Sequence, residues 1–199
     1  CLMAAVRREW FACDWAIICT GALTVPIYPN DTPAQAAYIM EHSQARFAIL
    51  ENDEMLQHIE SFSGIPNGLE KILIIDTLHK TPSARVLSLE RLKSLGREYG
   101  AGGLKEFFRC VDSIKPEDDL TIIYTSGTTG APKGVVTTHS NYLFMLKAVD
   151  SAFPLKPDDC NLHFLPPAHA FGRLEHFITH YKGLTTWIAG SFESIAGDL

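Results

Sequence analysis

Short apolar runs alternate with amphipathic stretches along the whole chain. Residues 2–21 carry Val6, Trp10, Cys13 and Ile17 at helical spacing, with Gly21 as a stop. Residues 23–28 read as a buried strand. Asp31 or Thr32 then caps a helix with Pro33 in its first turn and Ala34, Ala37, Tyr38 and Glu41 on one face. Residues 47–50 predict a strand, and 53–59 a short helix. Residues 71–76 form an apolar run between charges, the pattern of a parallel strand covered on both faces. Residues 88–99 predict a helix with Leu89, Leu92 and Leu95 inward, ended by Gly100 with Gly102 and Gly103 beyond. A polar approach at 115–119 leads into the apolar run Ile122-Ile123-Tyr124, and Val135-Val136 starts the next strand. A helix capped by Ser140 follows over 141–152, then a strand over 161–165 ending at Pro166-Pro167, a helix over 170–181 and a strand over 185–189. The fold class is α/β, with alternating strands and helices and a mostly parallel sheet.

Composition narrows the partners more than the fold. Of 199 residues, 46% are hydrophobic and 20% charged, ordinary values for a chain that buries a core. The net charge of −6 comes from interspersed acids and bases, so nucleic acid is not an expected partner. The five cysteines have neither metal nor redox spacing and read as small buried hydrophobes in a reducing, cytoplasmic setting. The charge-free window 15–30 is shorter than the roughly 18–20 residues that span a bilayer, and it contains Gly21, Pro26 and Pro29. Peripheral membrane contact has no visible signature. The chain starts mid-helix rather than at Met, and its last residues reach no clear stop. It reads as a fragment.

The chemistry concentrates where the run at 122–124 opens onto Thr125-Ser126-Gly127-Thr128-Thr129-Gly130, followed by Pro132 and Lys133. Glycines allow close backbone approach, backbone N–H groups can line an anion-binding concavity, and Lys133 adds a compact cation. Such a set suits a polyanion, above all phosphate. A Walker loop is excluded because Pro132 precedes the lysine and Gly134 follows it. A dinucleotide fingerprint is excluded because Gly127 and Gly130 stand three apart. A nucleophile elbow is excluded because Tyr124 occupies the place of its first glycine. The remaining alternative is a Gly/Thr-rich turn without a ligand, which needs neither the lysine nor so many hydroxyls.

The stretch from Thr125 to Gly134 resembles the signature phosphate loop of the adenylate-forming enzymes: acyl-CoA synthetases, peptide-synthetase adenylation domains and luciferases. Two flanking segments are similar to those of long-chain fatty acid–CoA ligases. One is Gly21-Ala22-Leu23-Thr24-Val25-Pro26-Ile27-Tyr28-Pro29. The other runs Phe164-Leu165-Pro166-Pro167-Ala168-His169-Ala170-Phe171-Gly172-Arg173-Leu174-Glu175. It departs from the family at Pro167, where an apolar non-proline residue is usual; the extra ring stiffens the approach to His169.

The resemblance implies an incomplete portion, 1–199, of an N-terminal AMP-binding domain. It implies activation of a long-chain fatty acid by ATP and Mg2+ to an acyl-adenylate, then transfer to coenzyme A, in the full-length enzyme. By the same resemblance Thr125, Ser126, Gly127, Thr128, Thr129, Gly130 and Lys133 hold the β- and γ-phosphates, and His169 lies beside the acyl carboxylate and the nucleotide. No metal ligand is assigned. The family's magnesium glutamate, ribose-binding aspartate, hinge and second-domain lysine have no counterpart here, so the fragment alone is expected to be inactive. Two other readings stay open: an acid–AMP ligase for an aryl, amino or fatty acid with a non-CoA acceptor, and a truncated nucleotide-binding module. His176 and His180 read as a solvated or half-buried helix face, His139 as structural, and Trp187 as a core residue in preference to an acyl-tunnel lining.

Overall fold

Apolar segments bounded by charge pair side by side at the start of the chain. The computed structural model describes residues 1–76, 84–125, 131–190 and 195–198. In order these form β1 (Leu2–Met3), α1 (Arg8–Cys19), β2 (Pro26–Ile27), α2 (Pro33–His42), β3 (Phe47–Leu50), α3 (Asp53–Ser63), β4 (Lys71–Ile74) and β5 (Val86–Ser88). They continue as α4 (Leu89–Ser113), β6 (Asp119–Thr125), β7 (Lys133–Thr138), α5 (His139–Ala152), β8 (Cys160–His163), α6 (Ala170–Lys182), β9 (Thr185–Ile188) and α7 (Ile195–Asp198).

The first five strands form a wholly parallel sheet in the order β2-β1-β3-β4-β5. Side chains alternate between its faces. Met3, Ala48, Leu50, Ile72 and Ile74 enter one buried cluster with Ile39 and Met40 of α2 and Leu56 and Ile59 of α3. Leu2, Ile49 and Leu73 enter another with Trp10 and Cys13 of α1. Both faces are dry, which is why these strands read as unbroken apolar runs. A third cluster joins Ile18 of α1 to Leu120 of β6, Leu146 of α5 and Leu174, Phe177 and Ile178 of α6. Thus α1 serves the sheet with one end and the later helices with the other.

Strands β6 and β7 form an antiparallel hairpin. A single parallel bridge, Thr24 to Thr121, ties it to the chain just before β2. Thr24 N–H donates to the Leu120 carbonyl at 3.1 Å, and the Thr121 hydroxyl donates to the Thr24 carbonyl at 2.5 Å. Strands β8 and β9 form a separate parallel pair.

Several expected features differ. The chain opens on strand β1, and the first helix begins only at Arg8. Two apolar residues suffice there because Leu2 and Met3 each pair on both sides, with β2 and β3. Thr32, not Asp31, caps α2, through a reciprocal capping box with Gln35. Its buried residues are Ala36, Ala37, Ile39 and Met40, so the inward face is rotated from the expected one. Thr138, not Ser140, caps α5, with Asn141 closing the box. Gly100 does break the helix as expected, with φ 61° and ψ −148°, but a second helical segment follows directly and carries α4 on to Ser113 where a loop was expected. No residue of α4 is buried, and Leu92 and Leu95 point outward. Trp187 is 66% exposed, because β9 pairs with β8 alone and no described element covers its outer side. Of the cysteines, Cys13 is buried and Cys160 exposed, while Cys1, Cys19 and Cys110 are intermediate; all five are free thiols.

Gly134 lies directly opposite Tyr124 in the hairpin. A Cβ there would approach Ile122 Cγ2 to 2.7 Å and Tyr124 Cζ to 3.2 Å. The missing side chain lets the tyrosine ring lie across β7. Gly134→Val is expected to destabilise the chain by about 1–3 kcal/mol through overpacking, read as a lower denaturant midpoint.

Candidate functional site

The antiparallel register places Thr125, the last residue of β6, directly opposite Lys133, the first of β7. Cross-strand partners share a face, so the two side chains leave the same face at the loop end of the hairpin. Both residues are exposed. The predicted Ser126, Gly127, Thr128, Thr129 and Gly130 lie outside the described residues.

His169 meets the same place from another direction. A cleft of about 440 Å³ is lined by Pro26, Tyr28, Asp31, Gln35, Ile39, Ile123, Tyr124, Thr125, Pro132, His169 and Ala170. It brings the predicted Thr125 and His169 to one cavity, with Pro132 adjoining Lys133. His169 is the N-cap of α6, and its Nδ1 accepts the Phe171 amide at 3.2 Å. Acceptance at Nδ1 leaves the proton of a neutral imidazole on Nε2, as a donor. Asp31 also lines the cleft; burial is the larger influence and raises its carboxyl above the ordinary value, against the Tyr28 amide. A larger hollow, about 810 Å³, follows the outer face of α4 and shares none of these residues.

The position of His169 follows from how α6 is seated. His169 N–H donates to the Pro166 carbonyl at 2.9 Å. The turn before the helix then crosses so close to Gly172 that a Cβ there would come within 2.5 Å of the Pro166 oxygen. One turn along, Arg173 donates to Asp14 of α1 at 2.7 Å, with both side chains fully buried. The guanidinium also stacks over Trp10 and Phe177, 5.7 and 5.4 Å from their ring centres. Burial opposes ionisation of Asp14, but Arg173 and then His176 outweigh it and hold the carboxyl below its usual range. His176 Nε2 stands 3.5 Å from Asp14, too long for a good hydrogen bond. Burial lowers its pKa despite the carboxylate. His163, also fully buried, is pushed down to about 4 by burial, although its Nε2 bonds the Leu165 carbonyl at 2.9 Å.

The expected solvated or half-buried helix face holds for His180, which is exposed, but is corrected for His176. His176 is 2% exposed and stacks on Phe11 at 4.6 Å, with His180 edge-on at 4.9 Å. Phe11, Trp10 and Trp15 of α1 form the opposing wall. His139 is the first residue of α5, its amide bonded to the Asp118 carbonyl. Among the described residues no three His, Cys, Asp or Glu side chains gather to hold a metal ion, and no helix is long and apolar enough to cross a membrane.

Two groups of residues escaped the motif search. Asp14 is one, although a lone carboxylate among Phe11, Ala12, Trp15 and Ala16 signals a paired buried charge. The other is an aromatic set around the hairpin. His42 Nδ1 lies 2.7 Å from the Tyr124 hydroxyl, and Tyr38 donates to the Pro132 carbonyl at 3.3 Å. Nothing in the spacing of Tyr38 and His42 announced these partners, which lie more than 80 residues away.

A family model described as AMP-binding enzyme matches residues 1–197. The long-chain-fatty-acid–CoA ligase FadD15 of Mycobacterium bovis is 30% identical over 196 residues, 98% of this chain and 31% of its own length. The peroxisomal long chain acyl-CoA synthetase 6 of Arabidopsis thaliana is 32% identical over 188 residues, 89% of this chain and 25% of its own. The chain thus spans about a third or less of these relatives. Among solved structures, the anthranilate CoA ligase AuaEII in complex with anthranoyl-AMP matches with a TM-score of 0.73 and 24% identity, covering 99% of this chain and 36% of that one. This last likeness concerns the fold.

Removing one partner of the buried pair leaves an unpaired charge. Asp14→Ala is expected to cost about 3–5 kcal/mol, whereas Asp14→Leu combined with Arg173→Met recovers much of it; denaturant unfolding reads both. The histidines add a pH dependence. A folded pKa of about 4 for His163, below the ordinary 6.5, means its contribution is complete above pH 6.5 and is lost as pH falls toward 4. The lowered pKa of His176 acts in the same sense. Glu175, raised chiefly by burial, acts oppositely, losing stability as pH rises above 4.5. The unfolding midpoint is expected to drop between pH 7 and pH 5, with a slope of up to about 1.4 kcal/mol per pH unit for each histidine. In His163→Gln, which keeps a donor for Leu165, the slope should be shallower.

Proposed function

The chain belongs to the AMP-binding enzyme family, and we propose that it supplies the phosphate-holding hairpin and one catalytic histidine of an ATP-dependent ligase joining a long-chain fatty acid to coenzyme A. Members of this family are acid–thiol ligases of the adenylate-forming type. The choice of acid rests on relatives at 30% and 32% identity whose names carry that substrate. On this reading residues 1–199 are part of the large N-terminal domain. The observation that carries the site is the cleft shared by Thr125, Pro132 and His169.

In the first step a carboxylate oxygen bonds to the α-phosphorus of ATP, the bond to the bridging oxygen breaks, and pyrophosphate leaves. A carboxylate resists nucleophiles, whereas its mixed anhydride with AMP does not. In the second step the thiolate sulfur of coenzyme A bonds to the acyl carbon and AMP leaves. Lys133 neutralises charge on the terminal phosphates as they depart, and Thr125 donates a hydrogen bond to them. His169, donating from Nε2, orients the carboxylate at the cleft wall. The family's Mg2+ is not assigned to any described residue.

Titration of the chain with pyrophosphate and with MgATP should give saturable heats. Lys133→Ala should weaken both at least about tenfold, since a hydrogen bond to a charged group is worth roughly 1.5–3 kcal/mol. Fatty-acid-dependent pyrophosphate exchange by the 199 residues alone is expected not to exceed that of the same variant. Equal affinities in the variant and the unaltered chain would remove the phosphate assignment.

A further inference from the structure

We infer that Tyr38, His42 and Tyr124 form a clasp that sets the positions of Thr125 and Lys133, which makes them positioning residues for the polyphosphate end of the site. The inference rests on the phosphate-holding role proposed above. A two-stranded hairpin is marginal on its own, and among the described residues β7 pairs with β6 alone. Its valines, Val135 and Val136, are about half exposed, so little packing holds its loop end. What reaches that end is α2.

Tyr38 and His42 stand one turn apart on α2 and stack at 5.2 Å with 26° between their planes. The Tyr124 ring meets both edge-on, at 6.4 and 5.7 Å. Hydrogen bonds then fix the two chain ends separately. His42 holds the hydroxyl of Tyr124, the residue before Thr125, at 2.7 Å. Tyr38 holds the carbonyl of Pro132, the residue before Lys133, at 3.3 Å. Helix α2 is itself anchored, capped at Thr32 and buried through Ala36, Ile39 and Met40 in the core beneath the sheet. The clasp passes that rigidity to the hairpin tip.

The hydroxyls show that this is more than ring packing. Tyr124 is 8% exposed, and a buried phenol needs a partner that a phenylalanine would not. Gly134 completes the arrangement by leaving room for the ring across β7. With Thr125 and Lys133 already in register, a polyphosphate pays less to order them.

The test combines affinity with amide exchange. Tyr38→Phe and Tyr124→Phe keep the rings and remove the hydroxyls. Each should weaken pyrophosphate binding about five- to tenfold in calorimetry, with at most a small drop in the denaturant midpoint. His42→Leu should do the same, and His42→Asn, which keeps a polar atom near Nδ1, should restore binding. Without any ligand, exchange at the Thr125 and Lys133 amides should quicken in the weakened variants, while Leu50 and Ile74 in the core keep their rates. Unaltered exchange and affinity in both Phe variants would overturn the clasp. Failure of the unaltered chain to bind pyrophosphate would instead strike the phosphate reading, because exchange judges the clasp independently.

Discussion

Asp14 and Arg173 are 159 positions apart, yet their side chains meet at 2.7 Å with no exposed surface. Two ions stripped of water are tolerated only when each finds the other in good geometry. That requirement leaves α1 and α6 little freedom to slide. Helix α1 also packs on the parallel sheet through Trp10 and Cys13, so the pair registers α6 against the sheet. The aromatic wall of Phe11, Trp10 and Trp15 against His176 fills the space around the ions and keeps water from competing.

The candidate cleft follows from this registration together with a second, separate one. His169 caps α6 four residues before Arg173, and the tight turn over Gly172 leaves it one location. The opposite wall belongs to the β6–β7 hairpin, tied to the chain before β2 by the Thr24 bridge and to α2 by the aromatic clasp. One wall thus depends on a buried ion pair and the other on backbone hydrogen bonds and two phenols. The cavity lies where the two meet.

Much of this was legible from residue patterns, and the failures have physical causes. Strands β3 and β4 were read almost to the residue, because a strand dry on both faces must be continuously apolar. The loop residue Thr125 and the distant His169 were singled out by motif and line one cleft, whereas Lys133 adjoins it only through Pro132. Periodicity failed where burial did not follow it. Helix α4 has an apolar stripe at Leu92 and Leu95 yet no buried residue, since among the described residues little packs on it beyond its first turn. Local pattern also cannot see across the chain. It did not reveal that His176 faces a carboxylate from α1, or that Tyr38 and His42 reach a hairpin more than 80 residues later.

The charge balance sharpens why placement matters. A chain of net charge −6 has no general attraction for a polyanion, and Asp31 sits in the cleft itself. Long-range steering therefore works against the proposed polyphosphate ligand, whose binding would come from short-range donors held in place. Burial raises the Asp31 carboxyl above its ordinary value. The remaining attraction falls on Lys133 and the hydroxyl-bearing loop it closes. A lone exposed lysine is a weak ligand while it samples many rotamers and its strand frays. On the proposed reading, fixing the backbone at Pro132 and at Tyr124 on the partner strand turns a surface cation into part of a site without adding any charge.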